Sequence, residues 1–165
     1  MENTLLNDFL LFLATERIYS KNTIISYKND ISDFFFFIRE KLNKPISIET
    51  LENLKQSDFR EWLSYKKNKK FENSSLARNL SSVKSFYKYL SKHKKIQNPI
   101  IENMKNPKVK KSIPKAVDFV NIEKIIDCIS DMHNEEWLVN RDVALCTLIY
   151  GCGLRISEAI NLTKR

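Results

Sequence analysis

The chain has 165 residues, with 28 lysines and arginines against 20 acidic residues and a formal net charge of +8 at pH 7. That length allows one ordinary domain or two small ones, and the basic excess leans toward a polyanionic partner. Two glycines and four prolines leave little material for the many tight turns of a sandwich or barrel, so the expected fold class is mainly α.

Taken in order, Leu5, Leu6, Phe9, Leu10, Phe12 and Leu13 predict a short, largely buried helix over Thr4 to Thr15. Ser20 has the chemistry of an N-cap for a longer helix, in which Ile24, Tyr27, Ile31, Phe34, Phe35, Ile38 and Leu42 recur every three or four residues. Asn43-Lys44-Pro45 ends it. The run Phe34 to Phe37 is far too short to cross a bilayer, and no signal peptide opens the sequence, so no membrane partner is expected. Ser57 is read as the cap of a third helix carrying Phe59, Trp62 and Leu63, followed by Lys66-Lys67-Asn68-Lys69-Lys70.

A fourth helix begins near Ser74. Leu76, Leu80, Val83, Phe86, Tyr87 and Leu90 mark its apolar side, and Arg78, Asn79, Ser82, Lys84, Ser85, Lys88 and Lys92 are assigned to the other. Residues 60–115 hold 16 basic and 3 acidic side chains, a local balance of +13, so the rest of the chain is net negative. Basic, amide and hydroxyl donors on one helical side are what phosphate contact requires, and these seven residues are candidate DNA ligands.

From Ile96 to Lys115 periodicity is lost, and Asn98-Pro99, Asn106-Pro107 and Ile113-Pro114 alternate with lysines. This predicts a basic linker over 96–115 between one domain at 1–95 and another at 116–165, with Lys108, Lys110 and Lys111 as further DNA contacts. Asn121 is the expected cap of a short helix carrying Ile122, Ile125, Ile126 and Ile129. Asp131 to Asn140 is read as a polar loop, and a helix follows from Arg141 with Ala144, Leu145, Leu148 and Ile149 on one face. Gly151 and Gly153 should stop that helix, because glycine takes the left-handed conformation without strain. Arg155 would then open a new helix with Ser157 and Glu158 in its first turn, where an arginine and free backbone N–H groups can meet a phosphate. With so few elements after the linker, Ile125, Ile129, Leu145 and Leu148 are expected to be short of apolar partners.

Cys128, Cys146 and Cys152 are odd in number and form no Cys-x-x-Cys pair. They read as free or buried thiols of a cytoplasmic protein, and no metal site is expected.

Arg141-Asp142, Tyr150, Gly153-Leu154-Arg155, Ser157-Glu158 and Leu162 closely resemble the first active-site arginine motif of the tyrosine recombinases, above all the bacterial Xer type. Thr23, Tyr27, Asp30 and Phe34, with Ile31 in the usual leucine place, resemble the signature of that family's DNA-embracing domain. The segment Ser75 to Leu90 looks like its fourth, basic and hydroxyl-rich helix. The resemblance implies a four-helix, SAM-like core-binding domain followed by the first helices of a catalytic domain, joined by the linker of a C-shaped clamp around duplex DNA.

It also implies a chemistry. In the family a tyrosine attacks a phosphodiester to give a 3′-phosphotyrosyl intermediate, so no metal, nucleotide or other cofactor is needed. Two arginines, a lysine and His or Trp side chains stabilise the phosphorane and protonate the leaving oxygen. Arg155 matches the first arginine and is the one candidate catalytic residue. The second belongs to a His-x-x-Arg motif, but His93 is followed by Lys94-Lys95-Ile96 and His133 by Asn134-Glu135-Glu136. Tyr19, Tyr27, Tyr65, Tyr87, Tyr89 and Tyr150 all precede or abut the arginine motif, whereas the family nucleophile lies well beyond it. Lys164 does not stand in for the family's β-hairpin lysine.

The expectation is therefore the DNA-binding portion of a Xer-like recombinase that binds duplex DNA without cutting it, beside a second recombinase protomer. Its parent would resolve chromosome dimers or integrate mobile DNA. Two other readings stay open: a natural short protein that binds DNA or a longer recombinase, and a helical transcription regulator with a recognition helix and dimer contacts.

Overall fold

Apolar residues at three- and four-residue intervals fold Glu2–Thr15 into α1, with Leu5, Leu6, Phe9 and Leu13 buried. The computed structural model describes residues 2–109 and 117–163, and the chain divides into two units, Met1–Lys111 and Ser112–Arg165. The end of α1 is closed by N–H groups of Glu16 and Arg17 donating to the Phe12 carbonyl at 2.9 and 3.2 Å, and of Tyr19 donating to Leu13 at 3.1 Å. This closure holds Ile18 at φ 52° with 83% of its surface exposed. A β-branched residue in the left-handed region is strained by about 1–2 kcal/mol, and burial of this side chain returns nothing. Ile18→Gly is therefore expected to raise stability by about 0.5–1 kcal/mol, after the greater chain entropy of glycine is subtracted. A urea midpoint that stays put or falls would contradict this.

Ser20 caps α2 (Lys21–Leu42) as expected, its hydroxyl accepting from the Thr23 N–H at 3.3 Å. Asn43, at φ 48°, ends the helix. Ser47 then caps a helix the periodicity did not reveal, α3 (Ile48–Asn53), accepting from Thr50 N–H at 3.1 Å. The next helix, α4 (Gln56–Asn68), starts before the expected cap Ser57, because Asp58 supplies the bond instead. Its carboxylate accepts from the Lys55 N–H at 2.6 Å and from Lys41 Nζ at 2.6 Å. Against the upward pull of burial, these two bonds hold Asp58 below its ordinary range.

The fourth long helix is α5 (Asn73–Lys94), and α6 (Pro99–Asn103) follows it. The 22-residue helices α2 and α5 pack together; α1 lies on α2, α4 on both, and α6 on α4 and α5. Phe34 stacks on Phe59 at 5.7 Å and takes the edge of Trp62 at 5.0 Å, while Phe86 meets Phe9 and Phe35. All of these rings are buried, and fully burying each apolar side chain is worth about 1.5–3 kcal/mol before entropy is counted.

Part of the stretch read as linker belongs to this core. Ile96, Asn98, Ile101 and Met104 are buried. The Asn98 amide donates to the carbonyls of Leu51, Glu52 and Leu54 at 3.1, 3.2 and 3.0 Å, while its oxygen accepts from Ile100 N–H at 3.1 Å. Pro99, read as loop punctuation, is the first residue of a helix, where the missing N–H costs nothing.

In the second unit, α7 (Phe119–Met132) packs on α8 (Glu136–Cys152), which packs on α9 (Ile156–Ile160). The expected polar loop Asp131 to Asn140 shrinks to 133–135, since α7 runs on to Met132 and α8 begins at Glu136, five residues before Arg141. Gly151 lies inside α8, and Gly153, at φ 65°, makes the stop. Apolar burial is sparse. Ile129 and Ala159 are the buried side chains among the described residues of this unit, Ile125 is 44% exposed, and Leu145 and Leu148 are half-buried. Cys128 and Cys152 are exposed, and Cys146 is partly so. Among the described residues, no helix is long and apolar enough to cross a membrane, and no group of three metal-ligating side chains comes together.

Candidate nucleic-acid interface

The polar residues of α5 fall into two sets. Asn79, Val83, Phe86 and Leu90 are spaced four, three and four residues apart, which puts Asn79 on the buried stripe, and Ser82 stands beside it. Both are buried, at 1% and 6% exposure, so neither lies on the open side to which its polarity assigned it. Their partner is Asp30 of α2. Its Oδ1 accepts from Asn79 Nδ2 at 2.6 Å, and its Oδ2 accepts from Ser82 Oγ and Arg78 Nη1, each at 2.7 Å. Lys66, also buried, donates to Asn79 Oδ1 at 2.8 Å and pairs with Asp33 at 2.9 Å. Its ammonium lies over the Phe71 ring at 4.7 Å. Each buried charge thus has an opposite charge or a hydrogen bond, as burial demands. Arg78 is tethered by one nitrogen, yet its side chain stays 54% exposed, so the rest of its donor fork is open to a ligand.

Lys84, Lys88 and Lys92 form the second set. Spaced four residues apart, they rise along one side of α5 at one cation per turn, about 5.4 Å of axis. With Ser85 they line a groove of about 300 Å³ whose other wall is Phe12, Leu13, Arg17 and Tyr19 from the end of α1, and which also holds Tyr89 and His93. Phe12, Tyr89 and His93 pack mutually with ring centroids 4.8–5.1 Å apart, and the Arg17 guanidinium lies 5.8 Å above the Phe12 ring. Lys84 is partly buried and donates to the Met104 carbonyl. No carboxylate lines the groove. By contrast, a larger concavity of about 440 Å³ between α2, α3 and α4 carries Lys44 and Lys55 against Glu49 and Asp58. Its charges balance, so it has no call on an anion.

Sequence reasoning missed Arg17, Tyr19 and His93. Arg17 and Tyr19 sit in a short non-periodic connection some 70 residues before Lys88, and the packing of Phe9 and Phe12 against α5 brings them there. Of the other expected contacts, Lys108 is exposed, with its carbonyl accepting from Asn73 Nδ2 at 3.1 Å. Lys110 and Lys111 lie outside the described residues.

In the second unit Gly153 does release the chain into a new helix, and Arg155 stands at its cap with Ser157 and Glu158 in the first turn. The N–H expected to be free for a phosphate is not free. Glu158 accepts from the Arg155 N–H at 2.8 Å and from its Nη1 at 2.9 Å, and those two bonds, the backbone one first, hold its carboxyl below the usual range. The Arg155 side chain is nonetheless 83% exposed. Within α8, Asp142 accepts from Arg141 Nε at 2.7 Å and faces His133 Nε2 at 3.0 Å.

Residues 6–94, the stretch that forms the bundle, match the family described as phage integrase, N-terminal SAM-like domain. The chain is 38% identical over 156 residues to the tyrosine recombinase XerC of Rickettsia bellii, a match covering 93% of this chain and 50% of that protein. The corresponding proteins of Rickettsia typhi and Rickettsia prowazekii are each 37% identical, over 160 and 163 residues, with 97% of this chain and 52% of theirs covered. The chain thus spans about half the length of the curated relatives it matches. A SAM-like bundle that carries the family match over more than half of the chain, and Xer relatives 37–38% identical over 93–97% of it, make one assignment: the chain belongs to the phage integrase family of tyrosine recombinases, and within it to the Xer type.

Proposed function

We propose that this chain is the DNA-binding portion of a Xer-like site-specific recombinase, and that its first unit holds duplex DNA through the α5 groove. The observation that carries this reading is the convergence of Arg17, Lys84, Lys88 and Lys92 on one groove that no carboxylate lines. Such a wall attracts the phosphate backbone without reading sequence, so affinity should fall steeply with salt. Lys108, Lys110 and Lys111 are proposed as further phosphate contacts on the strength of the sequence alone, and Arg78 adds a planar donor fork on α5. Asn79 and Ser82 serve the interface indirectly by fixing α5.

Arg155 is proposed as a phosphate-stabilising residue of the intact enzyme, which breaks and rejoins strands through a phosphotyrosine. Glu158 holds the guanidinium until a phosphate takes its place, since a charge-assisted bidentate contact can replace the carboxylate in kind. Further proposals are a second recombinase protomer as partner, a cytoplasmic location, and chromosome dimer resolution or DNA integration as the parent activity. The 165-residue polypeptide, which carries one residue of the catalytic set, is expected to bind DNA and leave it intact.

Fluorescence anisotropy with a 30-base-pair duplex at several salt concentrations tests the first part, and denaturing electrophoresis after incubation with a nicked recombination-site substrate tests the second. Salt-sensitive binding with no covalent adduct is the expected pair of results. Absence of binding would remove the DNA reading, and an adduct would remove the claim that this chain does not cut.

A further inference from the structure

The groove beside α5 has two walls, and its second wall is formed by the end of α1 and the five-residue corner between α1 and α2. Arg17 and Tyr19 line it from that side, while Lys84, Ser85, Lys88 and Lys92 line it from α5. The corner is a built element. Three backbone hydrogen bonds close it, Tyr19 stacks on Tyr27 of α2 at 6.1 Å with the ring planes 20° apart, and Arg17 rests over Phe12. Of the cations that meet here, Lys84 is held by the Met104 carbonyl, and the others are uncommitted. Among the described residues, Arg39, Lys41, Lys66, Arg78 and Lys94 all join ion pairs, whereas Arg17, Lys88 and Lys92 join none. Leaving like charges to converge without counter-ions is unfavourable for the fold alone, and an anion relieves it.

We propose that the α1–α2 corner is a second DNA-contacting element, in which Arg17 and the Tyr19 hydroxyl hold, from the side opposite Lys84 and Lys88, one backbone phosphate of the strand that runs along α5. This inference rests on the DNA reading given above. The packed rings of Phe12 and Tyr89 line the groove beside these cations, so the charged contacts act against partly apolar surroundings, where they are worth more than on an open face. The corner therefore adds grip that the α5 lysines, standing on a single helix, cannot supply alone.

The full 165-residue chain is used for the test, with the same duplex and salt series. Arg17→Ala is expected to weaken binding by roughly tenfold near 0.1 M salt and to make the salt dependence shallower by about one unit of log K against log salt. Combined with Lys88→Ala, the loss should be smaller than the product of the two single losses, because both side chains hold one phosphate. Lys44→Ala removes the same charge from the connection after α2 and should change the affinity less than twofold. Circular dichroism melting checks that each variant is folded, and Arg17→Lys, which keeps the charge but loses the fork, should recover part of the affinity. The inference is overturned if Arg17→Ala binds like the parent, or if Lys44→Ala costs as much as Arg17→Ala, which would make the effect one of total charge. Failure of the unaltered chain to bind duplex DNA would instead refute the reading on which the inference stands.

Discussion

Asp30→Ala is expected to lower the stability of the first unit by about 3–5 kcal/mol, the usual cost of removing one partner from a buried charge pair. The carboxylate is 5% exposed and accepts from three side chains of α5. Its loss leaves the Asn79 amide and Ser82 hydroxyl buried with one fewer partner each, and unsatisfied buried donors cost about 1–3 kcal/mol apiece. It also leaves the buried Lys66 bonded to an amide whose own anchor has gone. For a unit of this size the melting temperature should drop by about 15–25 °C. Asp30→Asn, which keeps an acceptor at one oxygen, should lose roughly half as much. A change below 1 kcal/mol for the alanine variant would show that the network adds little beyond the surrounding apolar core.

A Lys88→Glu/Lys92→Glu double variant should behave in the opposite manner. Both side chains are exposed and take no part in an ion pair among the described residues, so stability should move by no more than about 0.5 kcal/mol. Duplex affinity, however, should fall on the order of 100-fold near 0.1 M salt, and the log–log salt slope should become shallower by about two, since each lost phosphate contact removes close to one released counterion. Affinity within twofold of the parent would put the DNA surface elsewhere. Asn79→Ala is the useful contrast, because a buried anchor should weaken the fold while leaving the salt slope alone.

The two variants separate what could be read in the sequence from what could not. Helical periodicity located α1, α2, α4 and α5, because long amphipathic helices declare themselves through spacing, and Ser20 and Asn43 marked the ends of α2 through their own local chemistry. Short helices gave no such signal: α3 spans 6 residues and α6 spans 5, fewer than two turns. The Lys84, Lys88 and Lys92 stripe was legible because four-residue spacing is a property of one helix. Asn79 and Ser82 look like surface residues by type, but the spacing of α5 puts them on its buried side, and the partner that makes their burial possible, Asp30, lies about 50 residues away. Arg17 was illegible for the same reason, since its neighbours come from another helix. Gly153 and Glu158 were enough to place Arg155 at a helix start, but not to show that Glu158 occupies its N–H.

The distance along the chain between Asp30 and its partners also bears on the order of folding. Those bonds join residues 48, 49 and 52 positions apart, so the loop between them must close before any of the three can form, whereas the α1–α2 hairpin needs only neighbouring segments. The polar network should therefore assemble late, after apolar collapse has brought α2 and α5 into register. Its contribution should appear chiefly in the rate of unfolding, which makes Asp30 a latch on the finished bundle rather than a seed for it.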